Sequence, residues 1–172
     1  MYELGHLAGL RLTAKPSAIV GSLALWALLS AIGLWVELAP AAAVLGGLVA
    51  LALHWLGELV HQFGHAWAAR RAGHPMLGIA FWGLLSTSVY PRDEPELPAG
   101  VHIRRALGGP IASLALTLLA LPIAWLLWPG SGAPAWVALF FALENGLIYT
   151  AQVLVPLGFN DGGTILHWWG RR

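Results

Sequence analysis

Apolar residues fall into four long runs separated by short breaks rich in proline, glycine or charge. The runs cover about residues 17–36, 41–69, 103–128 and 135–154, and each meets the roughly 20 apolar residues a helix needs to cross a hydrocarbon core. Ala39-Pro40 separates the first two, and Pro129-Gly130-Ser131-Gly132-Ala133-Pro134 the last two. Breaks this tight place neighbouring helices antiparallel. Between the second and third runs, Leu77 to Tyr90 is rich in β-formers and aromatics but is interrupted by Gly78 and Gly83. That pattern predicts one or two short strands or a re-entrant hairpin, although an apolar run packed at an interface reads the same way. Leu10-Arg11-Leu12-Thr13 predicts a further strand, and Pro91 to Pro98 a solvated loop. The expected fold is an all-α membrane protein, one domain over residues 1–172, with four transmembrane helices and a small cytoplasmic-side β element.

Composition sharpens this picture. The chain is 58% hydrophobic and 10% charged, with mean hydropathy +0.72, whereas a water-soluble domain carries roughly 25% charged residues. The surplus apolar surface is expected to face a lipid bilayer. A net charge of +1 gives no footing for a nucleic-acid partner. The absence of cysteine removes disulfides, thiolate ligands and a cysteine nucleophile, so any metal must be held by histidine and carboxylates.

Orientation follows from the basic residues. Arg11 and Lys15 precede the first run, Arg70, Arg71, Arg92, Arg104 and Arg105 fall between the second and third, and Arg171 and Arg172 end the chain. All nine lie on one side of a four-span arrangement, which places both termini in the cytoplasm. Trp35, Trp128 and Trp136 near the opposite ends fit an interfacial aromatic belt. The first run exceeds the 7–15 residues or so of a signal-peptide core and is expected to be retained.

Candidate chemistry sits on the second run. In His61-Gln62-Phe63-Gly64-His65 two imidazoles are four residues apart, on one helical face and about one turn from each other. That spacing suits two ligands of one zinc ion, and a third protein ligand would complete a catalytic site with a position left for water. Histidine pairs at this spacing are more often structural in soluble proteins, but ionisable residues within membrane helices are costly and mark function by default. His54 and Glu58 continue the stripe; Glu58 either orients His61 as a hydrogen-bond acceptor or lines a wet cavity. Asp161, in Phe159-Asn160-Asp161-Gly162-Gly163, is the best third ligand, since its glycines permit a sharp turn. The same five residues also read as a simple turn and helix cap. Glu144, inside the fourth run, is the rival ligand.

Glu58-Leu59-Val60-His61-Gln62-Phe63-Gly64-His65-Ala66 resembles the His-Glu-x-Gly-His-Ala zinc motif of site-2 proteases. Phe159-Asn160-Asp161-Gly162-Gly163 resembles their later Asp-Gly motif, Gly108-Gly109-Pro110-Ile111-Ala112-Ser113 their Ala-Gly-Pro-x-x-Asn/Ser stretch, and Leu4 to Leu10 their opening strand. The resemblance implies Zn2+ bound by His61, His65 and Asp161, and hydrolysis of peptide bonds in or near the transmembrane segments of a protein or peptide substrate. It also implies a strand edge that holds unwound substrate by backbone pairing, assigned to Leu77, Gly78, Ile79, Ala80, Phe81, Trp82, Gly83, Leu84, Leu85 and Ser86. Gly108, Gly109, Ala112 and Ser113 are small enough to let the third helix approach the second closely. Asn145 is a candidate oxyanion donor, and packing between helices accounts for it as well.

One departure outweighs the matches. Where the family has glutamate as general base, this chain has Gln62, nearly the same shape but unable to accept a proton. Acid–base catalysis contributes ~10²- to 10⁴-fold, so severely reduced proteolysis is expected, with zinc and fold retained. An inactivating substitution made to trap a substrate or resting state is the favoured origin, ahead of natural loss of catalysis. The competing function is a non-catalytic membrane protein that captures transmembrane segments of partners. A metal or proton transporter is weaker, because four spans without an internal repeat do not resemble transporter architecture.

Overall fold

The computed structural model of the chain describes residues 1–130 and 132–171; Ser131 of the third-to-fourth break and Arg172 of the basic set lie outside the described residues. The chain opens with strands β1 (Tyr2–Leu7) and β2 (Leu10–Ala14), paired antiparallel across a tight turn. Ala8 and Gly9 both have positive φ there, 51° and 80°, the conformation that matches a two-residue hairpin to strand twist. Two helices follow, α1 (Pro16–Trp35) and α2 (Pro40–Arg71), each with proline in its first turn, where the missing N–H costs no hydrogen bond.

Strands β3 (Gly78–Trp82) and β4 (Leu85–Val89) then form a second hairpin, turned at Gly83 with φ 56°. β3 pairs in parallel with β2, giving one four-stranded sheet in the order β1-β2-β3-β4. A Cβ on Gly78 would overlap the Arg11 carbonyl of β2. Leu10, Ile79 and Phe81 from the sheet and Met76 just before β3 pack with Ala18 and Ala66 from the helices in a small core.

Helix α3 (Ala99–Leu127) begins four residues before the run predicted at Ile103, because Pro98 supplies the break. Residues Trp128–Gly130 make a single tight turn before α4 (Ala133–Leu143). Four helical stretches are long and apolar enough to cross a membrane: Pro16–Trp35, Pro40–Arg71, Ala99–Gly130 and Ala133–Leu154. The outward faces carry large apolar side chains such as Leu23, Leu45, Leu119 and Leu126, all exposed. At 1.5 Å per residue α2 is about 48 Å long, well beyond a hydrocarbon core of about 30 Å. His61 lies 21 residues into α2, about 31 Å along its axis, on the sheet side.

The fourth run is not one regular helix. After α4 the chain widens into a π-helical stretch, Glu144–Thr150, tightens to 3-10 geometry over Ala151–Leu154, breaks, and starts a further helix, α5 (Asp161–Trp169). Hydrophobicity over 135–154 carries no sign of these changes, since an apolar run reads the same whichever way the helix is wound.

The sheet also corrects the assignment of a substrate-binding edge to Leu77–Ser86. β3 is hydrogen-bonded on both sides, to β2 and β4, so Gly78–Trp82 has no free edge, and Gly83 and Leu84 form the turn. The open edge near α2 belongs to β4, which holds only Leu85 and Ser86 of the assigned residues.

The α2–α3 crossing is set by backbone. A Cβ on Gly64 would overlap the carbonyl of Gly108, and one on Gly108 the carbonyl of Gly64. Gly108→Ala is expected to lower the thermal midpoint by an overpacking cost of about 1–3 kcal/mol. Thermal unfolding in detergent checks this, with Gly100→Ala, where a Cβ meets nothing within 4 Å, as the tolerated control.

Candidate metal centre

His61 and His65 stand one turn apart on α2, ring centroids 4.6 Å apart and planes at 84°. Each ring is held through Nδ1. His65 Nδ1 lies 2.7 Å from the carbonyl oxygen of Arg105 on α3; a carbonyl only accepts, so this nitrogen carries the proton and Nε2 keeps its lone pair. The Gly109 amide, 3.3 Å from the same nitrogen, is too distant to reverse that. His61 Nδ1 is 2.9 Å from Ser113 Oγ, a hydroxyl able to accept in the same way. The two Nε2 atoms converge at 3.0 Å.

Asp161 closes the group from the other end of the chain. Its Oδ2 lies 3.3 Å from His61 Nε2 and its Oδ1 3.5 Å from His65 Nε2. The turn and cap reading of Asn160-Asp161-Gly162-Gly163 holds together with this placement. Asn160 Oδ1 accepts from the amides of Gly163 at 2.8 Å and Leu157 at 3.0 Å, while its Nδ2 donates to the Val155 carbonyl at 2.8 Å. A Cβ on Gly163 would overlap the Leu157 carbonyl. Asp161 thereby becomes the first residue of α5, fixed in direction by a capped helix start.

The three residues suit a metal ion. All donor atoms lie within 4.8 Å of one another, and ligands 2.0–2.1 Å from a tetrahedral zinc stand about 3.3 Å apart, the spacing found. A Cβ on Gly109 would press against both Nε2 atoms, so glycine keeps the convergence point open. A cavity of about 470 Å³ reaches these side chains, walled by Ser86, Thr87 and Ser88 of β4 and by Gln152 and Thr164.

Other residues singled out from the sequence fall as follows. Gln62 Oε1 accepts from Ser88 Oγ at 2.8 Å, and the Glu58 carboxylate accepts from Ser86 Oγ. Alternate residues of a strand match residues one turn apart on a helix in spacing, which zips β4 to α2. Glu58 consequently does not orient His61, whose Nδ1 partner is Ser113. Asn145 is fully buried, donates to the Phe141 carbonyl at 2.9 Å and lies against Gly57, outside the cavity lining. One of its two N–H groups is used on that carbonyl, and the side chain packs between α2 and the fourth span. Glu144 pairs with His54 Nδ1 at 2.7 Å instead of joining His61 and His65.

Sequence reasoning missed the cavity rim. The buried Arg105 guanidinium donates to Glu94 at 2.5 and 2.8 Å and to the His74 carbonyl at 2.6 Å, and stacks 4.1 Å from the Tyr90 ring. Burial pushes the Tyr90 phenol up from its usual value, while the Arg105 hydrogen bonds hold the Glu94 carboxyl below the ordinary carboxylate range. The only signal was Arg-Arg at the start of an apolar run, and nothing in it distinguishes Arg105 from Arg104.

The fold is similar to a solved structure described as "Site-2 Protease from Methanocaldococcus jannaschii". The TM-score is 0.64 and the sequence identity 18%, over 96% of this chain and 69% of that one. No protein-family model matches the chain, and no curated protein matches it.

Two outcomes follow from this geometry. Asp161→Ala and His61→Ala are each expected to abolish stoichiometric metal, and Ser113→Ala to weaken affinity by roughly 10–100-fold, as read by metal analysis and chelator competition on purified protein. The Glu94–Arg105 pair should make stability pH-dependent with a defined sign. A carboxyl whose folded pKa is depressed contributes fully above its ordinary value of 4.5 and loses that contribution as pH falls through the folded value. Thermal midpoints should therefore drop below pH 4.5, and Glu94→Gln should remove part of that slope.

Proposed function

We propose that the chain is a multi-pass membrane zinc metalloprotease of the site-2 type, hydrolysing peptide bonds in or near transmembrane segments, with its proton-transfer position disabled by Gln62. The observation that carries this reading is the meeting of two oriented imidazoles and one carboxylate at a single point, on a fold shared with a site-2 protease. Four apolar helices and the one-sided distribution of Lys and Arg support insertion in a plasma membrane with both termini cytoplasmic.

Zinc bound there would polarise a scissile carbonyl and acidify its water. The chain's own residues do the remaining work. Ser113 and the Arg105 carbonyl keep both Nε2 lone pairs directed at one point. A transmembrane helix must unwind before cleavage, because its carbonyls are engaged in internal hydrogen bonds. The edge of β4 beside the cavity offers backbone groups to an unwound substrate, with Leu85–Val89 as the binding strand. Gln62 occupies the place of the general base, and its amide cannot take a proton from an attacking water.

Restoring the carboxylate is the test. Gln62→Glu is expected to raise cleavage of a model transmembrane substrate in proteoliposomes by ~10²- to 10⁴-fold, with metal content unchanged. A second reading, a non-catalytic protein that captures transmembrane segments, draws support from the Gln62–Ser88 bond, which leaves the base position satisfied and inert. Zinc-loaded Gln62→Glu protein that binds but never cleaves would establish it.

A further inference from the structure

Two turns before His61, α2 buries a group that the proposed chemistry does not use. His54 is 4% exposed. Its Nδ1 meets Glu144 Oε1 at 2.7 Å and the Tyr149 hydroxyl at 3.0 Å. The Tyr149 ring lies against His61, centroids 5.7 Å apart. Burying such groups among apolar helices is costly, so their convergence calls for an account.

The backbone supplies it. Glu144 and Tyr149 are five residues apart, and on an α-helix they would stand about 140° from each other around the axis. The stretch Glu144–Thr150 is instead π-helical, closed by i→i+5 hydrogen bonds that bring residues five apart onto one side. Both side chains can then reach one imidazole. This widened stretch is also where the fourth span leaves its regular course, and the next helix downstream starts with Asp161. Gly57 makes room for it, since a Cβ there would come within 3.2–3.3 Å of Asn145 and Tyr149.

We propose that His54, Glu144 and Tyr149 form a latch that holds the widened turn of the fourth span against α2 and so sets where Asp161 meets the two imidazoles. His54 is thus a positioning residue for the metal centre, although it is not a ligand. The inference rests on the reading of His61, His65 and Asp161 as a zinc site. Two ligands are fixed on one helix, but the third arrives on α5, whose capped start hangs from the end of the irregularly wound fourth span. Without the latch the turn can relax to α geometry, a one-residue change worth about 100° and 1.5 Å, and Asp161 is carried off its target.

Cobalt(II) titration in place of zinc tests this, because the visible absorption of Co2+ reports ligand number and arrangement. His54→Ala is expected to bind Co2+ roughly 10–100-fold more weakly and to show the spectrum of Co2+-loaded Asp161→Ala. His54→Asn, whose Nδ2 can stand in for Nδ1, should return toward the wild-type spectrum. A His54→Ala protein that is folded by circular dichroism and keeps wild-type affinity and spectrum overturns the latch while leaving the zinc site standing. If His54→Ala does not fold, Tyr149→Phe decides: a weakened, shifted Co2+ spectrum supports the latch and an unchanged one overturns it. A wild-type protein that takes up neither Co2+ nor Zn2+ removes the metal site and the latch together.

Discussion

Where α2 crosses α3, Gly64 and Gly108 leave no room for a side chain on either backbone. That contact sets the distance between the two helices, and much of the site follows from it. At this separation the Arg105 carbonyl and the Ser113 hydroxyl reach the Nδ1 atoms of His65 and His61. Both Nε2 atoms are then directed to one side, beneath Gly109, whose missing methyl keeps the space open. A larger residue at the crossing would separate the imidazoles from the groups that orient them, even with both histidines intact.

The remaining parts attach to this pair of helices by polar contacts of very different reach. β4 is joined to α2 through Ser86–Glu58 and Ser88–Gln62, so the free sheet edge runs beside the site. The loop before α3 is tied down by Arg105 through Glu94 and Tyr90, and the same residue's carbonyl orients His65. Arg105 therefore couples the rim of the cavity to its floor. Asp161 comes from the far end of the chain and depends on the Asn160 cap and on the geometry of the fourth span.

Much of this was legible in the residues. Four apolar runs announced four helical stretches; in the first three only the starts and ends moved, as at Ala99, where Pro98 and not hydrophobicity decides the boundary, whereas the fourth changes its winding after Leu143. His61, His65 and Asp161 were picked out by spacing and resemblance, and they do come together. Ser113 was noted for its size and turned out to matter for its hydroxyl. Of the two readings given to each of Asn145 and Glu58, the structure matches the plainer one: Asn145 packs between helices against Gly57, and Glu58 lines the cavity while Ser113 holds His61. The strand edge was placed on the more hydrophobic half of the hairpin, and that half is interior for the same reason: apolar strands are buried between neighbours, leaving the serine-bearing β4 outside.

By itself the sequence determined what depends on local spacing: the number and order of the apolar helical stretches, the shared face of His61 and His65, and the amide at Gln62. Tertiary structure alone decided which strand is the edge, which groups hold the imidazoles, and that His54 binds Glu144 and Tyr149. The physical reason is the reach of each interaction. Periodicity records what a residue does within its own turn or strand, whereas partners 40 to 95 positions apart, such as Arg105 with His65 and Tyr149 with His54, meet only once helices have crossed and one span has changed its winding.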